Sequence, residues 1–374
     1  VICYHFCDFF IQFGLMDKIS DTLHEFFLGE ALTEARKRRG FCAPHPAVGA
    51  VVVHQGKIVG QAHHEGPGYA HAEARVLQSI APNIDDLSLY VTLEPCNHWG
   101  KTPPCVKAIL DYGVKVVVYA YHDPNIHVPE NNTRQILEKH GVKVIYYPTP
   151  EIDAFYASYH YWVERQMPVV TAKWAQSFNA KVGYANQKTK LTNASADNFT
   201  HQQRLYADVI LTSAQTILCD NPKLNVRLES NPIAKDLAVI DTRLRLTGEE
   251  QCFDTASQVL VFHDASLIPS WTKQHVSFYG IASDGLGVDL TRVCQQLACL
   301  GKHDVWLEVG PTLMSAMHQL HLVKTTHVFL TPHVLASDAI DAFKPDYHFF
   351  STPFQLQTQQ MDDNILTTFT WQDE

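Results

Sequence analysis

The chain has 374 residues, 46% hydrophobic and 18% charged, enough apolar material for two ordinary domains and too much for intrinsic disorder. Its 29 Lys and Arg stand against 39 Asp and Glu, a formal net charge of −10, which argues against a nucleic-acid binder because that affinity rests on cationic contacts to phosphate. Nine cysteines, an odd number in a long chain, argue against a disulfide framework and fit a reducing, cytoplasmic setting.

Residues 1–16 are apolar and aromatic, yet His5, Asp8 and Gln12 and the lack of a basic start fit neither a signal peptide nor a membrane span. Residues 1–20 therefore read as an extension ahead of the fold. Phe26, Phe27, Ala31, Leu32 and Ala35 predict a helix over 24–39, stopped by Gly40. Val48–Val53 and Lys57–Ala62 read as a hairpin around Gln55-Gly56. Helices near 71–80, 105–112 and 131–140 then alternate with strands at 87–93, 114–120 and 142–147, which implies an α/β/α sandwich.

The aromatic-rich stretch 151–166 marks the domain boundary, giving a first domain over 21–150 and a second over 151–374. The second half carries strand patterns at Val169–Trp174, Val209–Ser213, Ala238–Asp241, Val259–Phe262, Val305–Glu308 and His327–Leu330, with helical stretches at Ala196–Tyr206 and Pro311–Leu320. It is a second α/β domain, in which 229–236 and 263–290 read as loops.

The strongest chemical signal is His71-Ala72-Glu73 followed by Glu94-Pro95-Cys96 and Pro103-Pro104-Cys105. One imidazole and two thiolates give a zinc ion three ligands and an open position, and a carboxylate two residues past the histidine can shuttle protons; this is the pattern of hydrolytic zinc deaminases. Eight residues rather than two separate the cysteines. The competing readings are two buried thiols beside an unrelated histidine, or a structural zinc site with His98 as its fourth ligand.

Pro46-x-Val48-Gly49-Ala50-Val51, His71-Ala72-Glu73, the string from Thr92 to Cys105 and Asp123-Pro124-Asn125 resemble the bifunctional deaminase–reductase family of riboflavin biosynthesis, and the resemblance runs over about 24–370. It implies a cytidine-deaminase-like sandwich followed by a dihydrofolate-reductase-like α/β domain. It also implies a phosphorylated pyrimidine substrate, Zn2+ and NADPH as cofactors, and a homo-oligomer. The absence of a G-x-G-x-x-G fingerprint fits that second fold.

Further matching elements lie in the second half. Lys173 and Ser177 fall where the family has K-x-x-x-S, Thr216 to Arg227 follow its T-x-x-x-D-[DN]-P-x-L-x-x-R, Asp241-Thr242 its D-S/T, and Glu308 to Leu313 its E-x-G-x-x-L. The resemblance implies that Thr216, Asp220 and Thr242 contact NADPH and that Leu224 and Glu308 face the substrate. Lys173 and Asp220 would stand near the reacting centre. Gly310, Pro311, Thr312 and Leu313 would offer a helix start to a cofactor phosphate. Arg204 and Arg227 can hold the substrate phosphate by forked hydrogen bonds. The blander readings are a surface cation for Arg227 and a turn-starting carboxylate for Asp220.

Four departures from the family stand out. Ser177-Phe178-Asn179-Ala180 replaces S-L-D-G, Lys188-Thr189-Lys190-Leu191-Thr192 replaces S-x-W-I-T, Pro44-His45-Pro46 replaces P-N-P, and Pro129 to Asn132 replaces a G-x-G. They motivate an alternative, a divergent paralogue with an active pyrimidine deaminase and an altered or inactive reductase. A nucleoside or tRNA deaminase and a non-catalytic zinc-binding protein are the other classes; the acidic charge opposes the first, Glu73 the second.

Overall fold

A computed structural model describes residues 21–82, 84–99, 103–125, 132–185, 188–285, 287–343 and 353–371. The proposed extension 1–20 and the departure at 129–131 lie outside these. The chain divides into two compact units, one ending at Glu164 and the other starting at Arg165.

The first unit holds a five-stranded sheet between helices. Helix α1 covers 21–36. Strands β1 (Gly49–His54) and β2 (Lys57–His63) form the expected hairpin, with Gln55 and Gly56 both at positive φ, as a tight two-residue turn requires. Then follow α2 (Ala72–Ser79), β3 (Ser88–Val91), α3 (Cys105–Asp111), β4 (Val116–Tyr119), α4 (Thr133–Lys139), β5 (Lys143–Tyr146) and α5 (Pro150–Arg165). The sheet order is β2-β1-β3-β4-β5, with β3, β4 and β5 parallel.

Two glycines show that helices cover both faces. A Cβ on Gly49 would stand 1.9 Å from the Ala31 carbonyl oxygen of α1. A Cβ on Gly60, which pairs with Val52, would meet Val76 of α2 and Ile80 just beyond it. Residues 49 and 52 point to opposite faces of β1, so α1 and α2 flank the sheet.

Helix α5 differs from expectation. Its Ile152, Phe155, Tyr156 and Tyr159 are buried in the same core as β1 and β4, so the aromatic stretch completes the first unit instead of opening the second. The boundary lies at 164/165 rather than at 150.

The second unit contains β6 (Val169–Gln176), β7 (Lys181–Gly183), α6 (Ala194–Tyr206), β8 (Val209–Ser213), α7 (Ala214–Asp220), β9 (Asp236–Ile240), α8 (Gln251–Thr255), β10 (Val259–Asp264), β11 (Val276–Ile281), α9 (Leu290–Cys299), β12 (Asp304–Leu307), α10 (Pro311–Gln319), β13 (Thr325–Leu330), β14 (Ile340–Asp341), β15 (Phe354–Met361) and β16 (Asn364–Trp371). Nine strands form one sheet in the order β11-β10-β9-β8-β12-β6-β13-β16-β15. It is parallel from β11 to β13 and closes with an antiparallel hairpin. Leu211, Ala238 and Leu260 enter one core while Ile210, Val239 and Val261 enter another, so both faces are covered and the strands read as continuous apolar runs. Strand β11 lies inside 263–290, which the sequence suggested to be loop; its residues are mostly half-buried or exposed, so it lacks a strong apolar signature.

Candidate functional site

In the first unit, His71 precedes α2 as its N-cap, Cys96 lies in the loop after β3, and Cys105 is the first residue of α3. Their donor atoms converge. His71 Nδ1 is 3.2 Å from Cys105 Sγ and 3.4 Å from Cys96 Sγ, and the two sulfurs are 3.5 Å apart. Ligand atoms around a tetrahedral zinc stand ~3.5 Å apart, so this borderline-soft nitrogen–sulfur set fits the ion. Among the described residues these three form the cluster able to hold a metal, and His98 is not part of it.

Local structure favours a thiolate at Cys96. The Cys105 N–H at the start of α3 donates to Cys96 Sγ (3.4 Å), and Val106 N–H donates to the Cys96 carbonyl (3.2 Å). The Cys105 thiol and His71 donate as well, and together they overcome burial to draw the Cys96 pKa down to about 4. Glu73 lies one residue into α2, 3% exposed and within hydrogen-bonding reach of the Cys105 thiol. Burial lifts its carboxyl above the usual carboxylate range.

A second ring of contacts holds this loop. Glu94 N–H donates to the Tyr121 carbonyl (2.8 Å) and Thr133 Oγ1 donates to the Pro95 carbonyl (2.7 Å). From α5, the Tyr159 hydroxyl donates to Asp123 Oδ1 (3.2 Å), which also accepts the Asn125 N–H (3.0 Å). His45, at the departure from P-N-P, stacks on His64, whose ring meets His71 edge-on.

In the second unit a cavity of about 1800 Å³ opens at the carboxyl ends of the parallel strands, where open α/β sheets bind ligands. Thr216 and Asp220 of α7, Thr242 after β9, and Gly310, Pro311, Thr312 and Leu313 at the start of α10 all line it. Lys173, Arg204, Arg227 and Glu308 line it too. Paired Ala172 and Leu307 place Lys173 and Glu308 one step further along adjacent strands. Burial lowers the Lys173 pKa against the pull of Glu308, and its ammonium lies 5.7 Å from the Phe329 ring centre. Burial raises the Asp220 carboxyl, with Lys188 opposing.

Two expectations need correction. Leu224 does not line the cavity; its side chain is packed in the core with Ile217 and Phe253, the natural place for an isobutyl group. Arg204 is not a free hand for phosphate. Its Nε and Nη2 donate to Glu308 Oε1 (2.6 Å) and Oε2 (2.8 Å), and its Nη1 donates to the Asn225 carbonyl (3.0 Å). Arg227 is the exposed cation of the pair.

The departures are accommodated. Asn179 Oδ1 accepts from Ser177 Oγ (2.8 Å) and Leu335 N–H (3.0 Å), while its Nδ2 donates to the Leu335 carbonyl (2.8 Å). Ala180 takes φ +55, the left-handed conformation that the family's glycine suits. Lys188 and Lys190 both line the cavity, and Lys190 pairs with Asp197 (3.2 Å). Arg243 and Arg245, unassigned from sequence, line it as well; their only signal was the R-x-R after Asp241-Thr242.

Comparisons with known proteins agree with this geometry. The RibD C-terminal domain family matches residues 168–357, and the cytidine and deoxycytidylate deaminase zinc-binding region matches 21–121. These two families bring zinc and, in general terms, a nicotinamide cofactor, with a small pyrimidine as substrate. The chain is 29% identical over 329 residues to the riboflavin biosynthesis protein RibD of Escherichia coli K12, covering 84% of this chain and 89% of that protein. It is 30% identical over 323 residues to the RibD of Chlamydia trachomatis, covering 83% and 84%. Among solved structures, a diaminohydroxyphosphoribosylaminopyrimidine deaminase/5-amino-6-(5-phosphoribosylamino)uracil reductase from Thermotoga maritima superimposes with a TM-score of 0.81 at 26% identity, over 94% of this chain and 100% of that one. Acinetobacter baumannii RibD gives 0.79 at 25% identity, with the same coverage. With a deaminase unit, a reductase unit and relatives aligned across both, the chain belongs to the RibD family of bifunctional deaminase–reductases of riboflavin biosynthesis.

Proposed function

We propose that the chain deaminates 2,5-diamino-6-(5-phosphoribosylamino)pyrimidin-4-one to the aminouracil and then reduces the ribosyl group to ribityl with NADPH. The observation that carries the reading is buried Glu73 set beside the His71, Cys96 and Cys105 donors, since a purely structural zinc has no use for a buried carboxylate.

His71, Cys96 and Cys105 would hold the zinc. When bound, it supplies a Lewis acid that lowers the pKa of water to about 7. Glu73 accepts the proton of the attacking water and passes protons to the ring nitrogen and to the departing ammonia. In the second unit, Thr216, Thr242 and the N–H groups at the start of α10 would bind the cofactor, and Gly310 with Pro311 at the first helical position leaves that helix start open. Reduced nicotinamide supplies a hydride. Lys173 and Asp220 would lie beside C1 of the opened ribose, Glu308 would face the substrate, and Arg227 would grip its phosphate.

Replacing Glu73 by Gln should lower ammonia release by at least about 100-fold while leaving bound zinc in place. Replacing Cys96 or Cys105 by Ser should lose the metal. Ammonia release unaltered in Glu73→Gln contradicts the mechanism. The reading includes a reducing, cytoplasmic setting, supported by free cysteines among the described residues, and no role for nucleic acid. No described helix is long and apolar enough to cross a membrane. A homo-oligomer through the reductase unit is supported by edge strand β15, six of whose eight residues are exposed, and a sizing measurement tests it.

A further inference from the structure

We infer that Asn225 is a positioning residue that aims Arg227 at the substrate phosphate, a role that rests on the reductase reading above. Asn225 is 4% exposed and stands between two guanidinium groups. Its main-chain oxygen accepts Arg204 Nη1 at 3.0 Å, and its side-chain oxygen accepts Arg227 Nη1 at 2.5 Å. Behind it the chain of contacts is rigid. Arg204 is clamped by both oxygens of Glu308, and Glu308 Oε1 also accepts the indole N–H of buried Trp306 (2.7 Å).

The backbone of this segment is fixed at both sides of Asn225. Leu224, at φ +47, and Val226 are both buried, and Val226 pairs with Ile233. The Arg227 N–H donates to His201 Nδ1 (3.3 Å). His201 is held neutral, its pKa drawn down to about 4 by burial first and then by Arg204 and Arg227, so its ring nitrogen serves as that acceptor.

An exposed arginine ordinarily loses side-chain freedom when it grips a phosphate, and that loss weakens binding. Here the Asn225 oxygen holds one Nη1 hydrogen before substrate arrives, leaving the outer edge of the guanidinium for a forked contact. Arg204 repels Arg227 electrostatically, and both line the same cavity. The neutral amide between them sets the distance without neutralising either charge.

The test uses the full chain with the aminouracil ribosyl phosphate and NADPH. Asn225→Ala should raise KM for this substrate about tenfold with kcat changed less than about twofold, and should weaken competitive inhibition by inorganic phosphate to the same degree. Asn225→Asp, which keeps the acceptor but adds a negative charge that neutralises Arg227 and repels phosphate, should raise KM as well and weaken phosphate inhibition further. Asn225→Ser, whose hydroxyl stops short of Arg227, is run in parallel as the variant least disturbing to the fold and should share the KM rise. Adding Asn225→Ala to Arg227→Gln should produce little further loss, because the two act through one contact. An unchanged KM in Asn225→Ala and Asn225→Ser, or a fall in kcat with phosphate inhibition intact, overturns the inference while the reductase reading stands. A wild-type chain that consumes no NADPH overturns both.

Discussion

The hydroxyls of Tyr156 and Thr92 meet at 2.6 Å in the core of the first unit. The Tyr156 hydroxyl is also 3.0 Å from the Ala47 carbonyl, and Thr92 Oγ1 accepts the Gly49 N–H at 3.2 Å. Helix α5 is thereby tied to β1 and to the strand end that runs into Glu94, Pro95 and Cys96.

A fragment of residues 21–150 should therefore fail to fold, whereas 21–166 should melt cooperatively. Within the full chain, Tyr156→Phe should cost about 1–3 kcal/mol, the penalty for unsatisfied buried hydrogen-bonding groups. Thermal melting followed by circular dichroism reads both. A stable, cooperatively folding 21–150 fragment would show that α5 is dispensable.

The Arg204–Glu308 pair sets a pH dependence. Burial alone would raise the Glu308 carboxyl, but the charge and hydrogen bonds of Arg204, helped by Lys173 and Trp306, hold it at about 2 against an ordinary 4.5. A depressed folded-state pKa gives stability that is present above the unfolded value and lost as pH falls through the folded one. The second unit should lose stability from about pH 4.5 down to about pH 2, and Glu308→Gln should flatten that decline. At neutral pH the same substitution should cost about 3–5 kcal/mol, because it leaves Arg204 buried without its charge partner. Denaturant midpoints measured across this pH range decide; parallel curves for wild type and Glu308→Gln would remove Glu308 from the account.

The turn at Ala180 predicts a gain. An alanine at φ +55 carries a steric cost that glycine does not, so Ala180→Gly should stabilise the chain by about 0.5–1 kcal/mol, the left-handed penalty less glycine's larger unfolded-state entropy. Reductase activity should be retained, since the hydrogen bonds of Asn179 are independent of that side chain. A lower melting temperature for Ala180→Gly would contradict the strain argument.

The zinc cluster was legible in the sequence because few residue types ligate the ion and a strand end and two helix starts present them at fixed spacings. Strand β8 was legible to the residue, since Val209, Ile210 and Leu211 form an apolar run that ends at Ser213, the N-cap of α7. The allegiance of α5 was not, because an aromatic helix shows the same periodicity whichever core it enters. Strand β11 escaped because serine and glycine interrupt its apolar residues, and β15 because six of its eight residues are exposed and it carries little apolar content. The commitment of Arg204 to Glu308 spans 104 positions, a pairing that periodicity cannot reveal and that turned a proposed phosphate ligand into a support.

Whether one chain performs both reactions is decided by following ammonia release and NADPH consumption separately in a single incubation with the diaminopyrimidinone ribosyl phosphate. Ammonia should appear first and NADPH oxidation after it, in equal final amounts, with Glu73→Gln abolishing both from this substrate but leaving reduction of added aminouracil ribosyl phosphate intact. Ammonia release with no NADPH consumption from either substrate would contradict the two-reaction reading and would favour a chain whose second unit has left this reaction.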